Sequence, residues 1–493
     1  MMLSFFSSRG WESWDLSSRP LIPERMPVLV DDDLRFEDAA ALRPTTVVNR
    51  WLRELPASGC PAPSSWESYA RVLLEWMRFL DEHDVELFDS RARLKGALGR
   101  YAEHRATGPV EQRFAATTWG RHMSVLSVFY RWAIAENYAT AQPFTYRTAR
   151  ALFAGTGREV KVNLAIRRTP KPHVTIKYLE AEFVKLFMQG LRGLVPDGGQ
   201  DTRFHGRELA RNAAVGGLAL ASGLRLQEFT YLLVYEIPAL PPKPTEVPIP
   251  FPVPSGVTKG RRFRTTWISY DALAELHQYR ELDRAVTVDG SGWRPPRRWG
   301  EPLMVTEPTE RGGRINGVRR SWDGLTPGER RRLIAPDGGS CLIAVRNGGG
   351  PFTAWASVFE RTSGRIRARF EPRFPHVNPH RLRHSFSMST LEHLVRGHYL
   401  QAARLVSAAG ADQGPDAALM FYLSKADPLM VLRDLLGHSS VLVTEKYIRR
   451  LDTTRIYREA YERAGTAEGL APDADADREV DAEFDDDTAT AEI

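Results

Sequence analysis

A chain of 493 residues with 42% hydrophobic and 26% charged residues is ordinary globular protein, too long for one core, so two or three domains are expected. It has no uncharged apolar run of about eighteen residues, which excludes a membrane-spanning helix, and its only cysteines, Cys60 and Cys341, exclude a disulfide scaffold or a cysteine-built zinc site and suit a reducing cytosol. The net charge of +6 is unevenly spread: residues 466–493 hold eleven acids against Arg478 alone, which makes −10 there and leaves +16 on residues 1–465. A body this basic points either to a polyanionic partner, nucleic acid being the usual one, or to solubility alone.

The start, MMLSFFSSRGWESWDL, lacks the basic lead and continuous apolar core of a signal peptide. Residues 1–43 have no sustained periodicity and read as an N-terminal arm. From 44 to 150 the pattern is helical. Ser64 and Glu67 read as a capping box for a helix with Trp66, Tyr69, Ala70, Leu73, Trp76, Met77 and Leu80 on one stripe. A second strong helix is expected over 117–137, and weaker ones over 45–55 and 90–106, giving a small all-helical domain. Arg121 lies off the apolar side of the 117–137 helix. Residues 151–172 read as a basic linker carrying Arg158, Lys161, Arg167, Arg168 and Lys171 around prolines. Such a segment either tracks a polyanion or is merely solvated.

A larger, mainly helical domain is expected over 173–465. Helices are predicted at 178–192, 206–221, 225–235, 270–284, 352–362, 379–395, 428–436 and 440–463. VTKGRRFRTTWIS, 257–269, reads as a hairpin with Gly260 near its turn. The preceding VPIPFPVP is at best an edge strand, because proline cannot donate to a ladder. Segments 285–300 and 308–350, rich in Gly, Pro and Arg, read as loops or insertions. The tail 466–493 has almost no core-forming residues and reads as disordered.

Several stretches of this larger domain could carry chemistry. In HVNPHRLRHSF, Asn378 and Pro379 start a helix, placing His380 and Arg383 in a first turn whose free N–H groups suit a phosphate. His380 and His384 have metal-ligand spacing, but Arg381 and Arg383 lie between them and no acid adjoins. In ASGLRLQEF, Arg225 and Glu228 can form an ion pair, structural by default. Lys259 beside Gly260 is ordinarily a solvated turn lysine. In LLGHSSVLVTEKYIRR, Asp427-Pro428 upstream starts a helix that Gly437 ends in a left-handed cap, and His438 turns the corner. Tyr447 then falls nine residues later. Val443, Tyr447 and Leu451 make an apolar stripe, which explains an aromatic there but not the Gly-His before it.

Together, two arginines, a lysine, two histidines and a tyrosine suit one reaction at a phosphodiester. A tyrosine hydroxyl can attack phosphorus, arginines can hold the non-bridging oxygens, a histidine can take the phenol proton, and a lysine can protonate the leaving oxygen. Fixed cations doing that work leave no need for a metal.

Over roughly residues 45–463 the sequence resembles the tyrosine recombinases, or phage integrases, through four blocks in the family's order: SGLRLQE, TKGRRFRT, HRLRH and LLGHSSVLVTEKY. The resemblance implies Arg225, Lys259, His380, Arg383, His438 and Tyr447 as catalytic residues, with Glu228 and His384 supporting them. It implies a mainly α fold with a small β-hairpin, arranged as a two-domain C-shaped clamp: a helical core-binding domain at 44–150 and an integrase-like catalytic domain at 173–465. It further implies a 3′-phosphotyrosine intermediate, no metal and no ATP. Double-stranded DNA is the implied partner, held by a homotetramer docking through 451–464, with accessory DNA-bending proteins in some systems. The implied setting is the cytoplasmic nucleoid, in a bacterium or on a mobile element, with no membrane. The gap of 55 residues from Arg383 to His438 exceeds the family's usual spacing, so 398–422 reads as inserted, as does 285–350. Type IB topoisomerase-like relaxation and a silent DNA-binding protein on the same fold are the rival readings.

Overall fold

The computed structural model describes residues 1–7, 22–34, 42–60, 62–150, 159–167, 177–409, 427–438, 444 and 447. The chain falls into two compact units, Met1–His173 and Val174–Ile493.

In the first unit, β1 (Met2–Phe5) pairs antiparallel with β2 (Pro27–Val30). The helices are α1 (Pro44–Glu54), α2 (Pro63–Asp81), α3 (Arg91–Arg105) and α4 (Ala116–Ala135), followed by the antiparallel pair β3 (Tyr146–Arg150) and β4 (Glu159–Asn163). The N-terminal residues are therefore not simply an arm. Met26 and Leu29 are fully buried in the helical core. Asn49 of α1 stands in for a further strand, its amide group accepting from Leu29 N and donating to Leu29 O, both at 2.8 Å. The expected capping box at Ser64 does not form: Ala62 is the N-cap and Pro63 the first helical residue, a position its fixed φ suits. Aromatic side chains fill the centre, and their polar tips are satisfied there. Trp76 Nε1 donates to Tyr130 Oη at 3.1 Å, which donates to Leu87 O at 2.9 Å. Part of the expected linker is likewise a paired strand, β4, with Asn163 buried.

The second unit opens with α5 (Ala181–Leu191), α6 (Leu209–Ser222) and α7 (Leu226–Thr230). Positions 211–219 of α6 are all buried, as befits the helix that other elements surround. Next come β5 (Ile249–Val253) and β6 (Arg264–Ile268), an antiparallel hairpin. The hairpin thus begins earlier than expected and recruits the proline-alternating segment as a full strand. Phe251 and Val253 are buried while Pro250 and Pro252 are exposed. β5 has one ladder partner, so the missing N–H groups fall on its free edge.

Beyond α8 (Tyr270–Tyr279), a π-helical turn at Arg280–Arg284 leads into α9 (Ala285–Val288). The region expected to be loop then forms a small β layer: β7 (Leu303–Thr306), β8 (Gly312–Ile315), β9 (Val318–Ser321), α10 (Pro327–Arg330) and β10 (Leu333–Ile334), in sheet order β10-β7-β8-β9. Val305, Trp322, Leu333, Cys341 and Leu342 give it its own core. Strands of two to four residues are too short to leave a readable alternation, which is why the sequence looked like loop. Arg330, fully buried, clamps this layer to the segment after α7 by a bidentate pair with Glu236 at 2.6 and 2.8 Å and by bonds to Tyr231 O and Trp322 O.

The unit closes with α11 (Trp355–Arg369), α12 (Pro379–Ala409) and α13 (Pro428–Leu436). α12 runs well past the expected end at 395, through half of the stretch read as inserted. The rest of that stretch, the proposed docking segment 451–464 and the acidic tail lie outside the described residues.

Candidate functional site

Gly223 ends α6 in the left-handed region at φ +62, and the chain re-enters helix with Arg225 as the N-cap of α7. Arg225 N donates to Glu228 Oε2 at 2.7 Å and its guanidinium to Oε1 at 3.1 Å. The expected ion pair therefore exists, but it is half of a larger group. Arg264, first residue of β6, donates to both Glu228 oxygens at 2.8 and 2.7 Å. Burial pushes the Glu228 carboxyl up, and the bonds from Arg264, with the Arg225 amide and charge behind them, outweigh it and hold the group below its ordinary value.

Arg264 Nε also donates to Leu435 O at 3.1 Å, and Arg383 donates to the neighbouring Leu436 O and, at 2.6 Å, to Gly223 O. Two arginines, Arg383 buried and Arg264 partly so, thus hold the C-terminal carbonyls of α13, where the helix dipole favours cations. Gly437 then caps α13 at φ +61, with Asp427 capping its start through a 2.8 Å bond from Leu429 N. Arg383 is only 2% exposed. Burial and the nearby Arg225 cation both lower its proton affinity, Glu228 alone opposing them among carboxylates. Three guanidiniums, Arg225, Arg264 and Arg383, around the one carboxylate of Glu228 leave surplus positive charge that suits an anion.

Asn378 caps α12 through its side chain, which accepts from Arg381 N at 2.9 Å, and Pro379 follows as the first helical residue. One turn on, His384 Nδ1 lies 2.8 Å from Tyr447 Oη, and its ring stacks edge-on with that of His380 at 4.3 Å between centroids. His380 itself is exposed at the helix start. Tyr447 is 1% exposed and packs among Phe386, Leu391, Leu432 and Leu436. Burial raises its phenol pKa, while a hydrogen bond with Ser387 and the charges of Arg383 and Arg225 pull the other way. His438 Nδ1 meets Thr444 Oγ1 at 2.9 Å, and Thr444 O accepts from Tyr447 N at 3.0 Å, so Thr444 joins the Gly-His corner to the tyrosine.

The fold therefore brings Arg225, Glu228, Arg383, His384 and Tyr447 into one cluster, with His380 on its exposed side and His438 joined through Thr444. Lys259 stands apart. It is exposed in the loop between β5 and β6, beside Gly260 and Arg261 at φ +83 and +51, and no described contact joins it to the cluster. Of the linker and helix cations, Arg121 and Lys161 are exposed on α4 and β4. Arg167 lies over the Trp119 ring at 5.7 Å, while Arg158, Arg168 and Lys171 fall outside the described residues. Sequence reasoning passed over Arg264 and Ser387. For Arg264 a signal existed: Thr266 and Ile268 alternate with it, so the three share the buried face of β6.

Residues 48–137, from within α1 to just past α4, match the phage integrase N-terminal SAM-like domain family. No curated protein sequence matches the chain. Among solved structures, the XerA recombinase is 14% identical, covering 85% of this chain and 98% of its own, at a TM-score of 0.31. The XerH site-specific recombinase bound to a difH substrate is 12% identical, covering 84% and 83%, at 0.42. The Tn1549 transposon integrase in complex with a circular intermediate DNA is 14% identical, covering 85% and 99%, at 0.44.

Proposed function

We propose that this chain is a tyrosine-type site-specific DNA recombinase, which cuts and rejoins strands through a covalent bond from Tyr447 to a 3′-phosphate. The observation that carries the reading is the buried Tyr447 hydroxyl, bonded to His384 and set beside the Arg225–Arg383 cations. A phage integrase SAM-like domain in the same chain supports it independently.

In this mechanism Arg225 and Arg383 take the two non-bridging oxygens of the scissile phosphate, where transition-state charge gathers. Tyr447 Oη attacks phosphorus in line, its proton passing to His384 Nδ1, and the P–O5′ bond breaks. The departing O5′ takes a proton from Lys259 and leaves as a 5′-hydroxyl; binding of DNA is what carries the exposed lysine loop to that oxygen. His380 and His438 complete the hydrogen bonding to the phosphate. A 5′-hydroxyl from the partner duplex then attacks the phosphotyrosine, reforming the diester and returning the proton to Tyr447. Because the ester conserves the bond energy, neither metal nor ATP takes part.

The SAM-like domain holds the duplex together with Arg121, Lys161 and the linker bases. A homotetramer on two synapsed sites, docked through 451–464, and a cytoplasmic, nucleoid-associated location complete the proposal. The test is recovery of protein–DNA adducts on a nicked duplex. Wild type forms them, and Tyr447→Phe binds DNA and forms none. Adducts persisting in Tyr447→Phe would overturn the assignment.

A further inference from the structure

We propose that the β8–β9 hairpin is a second DNA-contacting element, an arm that binds the phosphate backbone of duplex flanking the catalytic site; the inference rests on the recombinase reading above.

The segment 308–322 holds four arginines, Arg311, Arg314, Arg319 and Arg320, against the single acid Glu310. All four are exposed, as is every residue of β9. The register sets Arg314 directly opposite Arg319, and Gly313 opposite Arg320. Like charges in direct cross-strand register destabilise a hairpin, so the pattern works against the fold that carries it. Only Arg314 is compensated, by Glu307 at 3.0 Å. No described side-chain bond engages Arg311, Arg319 or Arg320.

Alternation puts Arg319 and Arg320 on opposite faces of β9, the outermost strand of its sheet. The free edge between them presents backbone N–H and C=O groups, so amide donors stand beside the guanidiniums on the same ridge. The hairpin is short and stiff: Asn316 and Gly317, at φ +48 and +82, form the tight turn that matches strand twist. It is also firmly mounted. Trp322, one residue beyond β9, is buried in the core of the β layer, and its carbonyl accepts from Arg330 of the clamp to Glu236. Through Arg330 the mount of the ridge reaches Glu236, eight residues after Glu228 in the segment that carries Arg225. A stiff ridge carrying uncompensated guanidiniums fits a regular row of phosphates. An edge merely shielded from strand addition needs charge but not this mounting.

The test uses the full chain and random-sequence duplex DNA, with affinity read by fluorescence anisotropy over a salt series. Each phosphate contact contributes about 0.9 to the slope of log K against log salt. Arg319→Gln/Arg320→Gln is expected to lower that slope by about 2, for two lost contacts, and to weaken binding at low salt. Arg319→Lys/Arg320→Lys keeps the charge and is expected to keep the slope, which separates charge from folding. An unchanged slope in the Gln variant overturns the proposal, as does loss of self-association in place of DNA affinity, which assigns the arginines to the acidic 466–493 of another copy. Adduct formation by Tyr447 on a short nicked duplex is read in parallel. If it survives while the slope does not change, the hairpin proposal fails and the recombinase reading stands; if wild type forms no adduct, the recombinase reading fails on its own.

Discussion

Arg264 grips both oxygens of Glu228 at 2.8 and 2.7 Å while donating its Nε to Leu435 O, so one side chain ties the Arg225 turn to the helix that ends in Gly437-His438. Glu228 is 1% exposed, and removing its main partner leaves a buried carboxylate held by Arg225 alone. Arg264→Gln is expected to destabilise the second unit by roughly 3 kcal/mol, the low end of what breaking a buried pair takes. It should also depress adduct formation more than DNA binding, because the displaced groups position Arg225 and Arg383. Urea unfolding and single-turnover cleavage check both; an Arg264→Gln protein with wild-type stability and rate removes the positioning role.

The same carboxylate predicts a pH dependence. Its folded-state pKa is depressed, so its contribution to stability is present in full above the ordinary carboxyl value and is lost as pH falls through the folded one. Thermal stability of the wild type should therefore drop below about pH 4, the ordinary glutamate range. Glu228→Gln, less stable at neutral pH, should lose less on acidification. Melting temperatures of the two proteins across pH 2–7 (roughly the span of carboxyl titration) decide it, and parallel curves would falsify the assignment of that acid limb to Glu228.

How far the sequence could be read differs sharply by feature. The Asn378-Pro379 start of α12 and the Asp427-Pro428 and Gly437 ends of α13 were legible because caps are local chemistry. Arg225 with Glu228 was legible for the same reason, being three apart on one turn. The Arg264–Glu228 and Arg383–Leu436 bonds were not, since they span 36 and 53 residues and depend on which strand face turns inward. The β layer over 303–334 was missed because its strands are too short to alternate visibly and its core is completed by Leu233 from outside the segment. Met26 and Leu29 gave no periodic signal, because Met26 lies just before the strand and a four-residue strand is too short to show a pattern.

Gly437 gives a prediction about backbone rather than charge. It sits at φ +61, and a Cβ there would lie 2.8 Å from Arg264 Cδ. Gly437→Ala is therefore strained twice, by about 1 kcal/mol for the left-handed backbone and further by displacing Arg264. Gly437→Asn, a residue that tolerates this conformation better, still meets Arg264. Both variants should lose adduct formation, with Asn the more stable of the two in urea. A fully active Gly437→Ala would show that Arg264 moves freely and that the corner is not rigid.

The His384–Tyr447 contact of 2.8 Å carries the last prediction. Burial raises the Tyr447 phenol above its ordinary value despite Arg383 and Arg225, so at neutral pH the hydroxyl keeps its proton and needs a base to attack phosphorus. With His384 as that base, cleavage rises with pH as the imidazole becomes neutral and then levels. His384→Gln preserves a polar contact but cannot take a proton, and is expected to slow single-turnover cleavage by about 10²–10⁴-fold, the range of one general base. It should also remove the histidine limb from the rate profile, leaving dependence on hydroxide up to the phenol's own raised pKa. His380→Gln, one turn nearer solvent, should weaken phosphate binding while leaving that limb in place. If instead His380→Gln abolishes the limb and His384→Gln keeps it, the proton goes to the exposed histidine, and the contact seen here belongs to the resting enzyme alone.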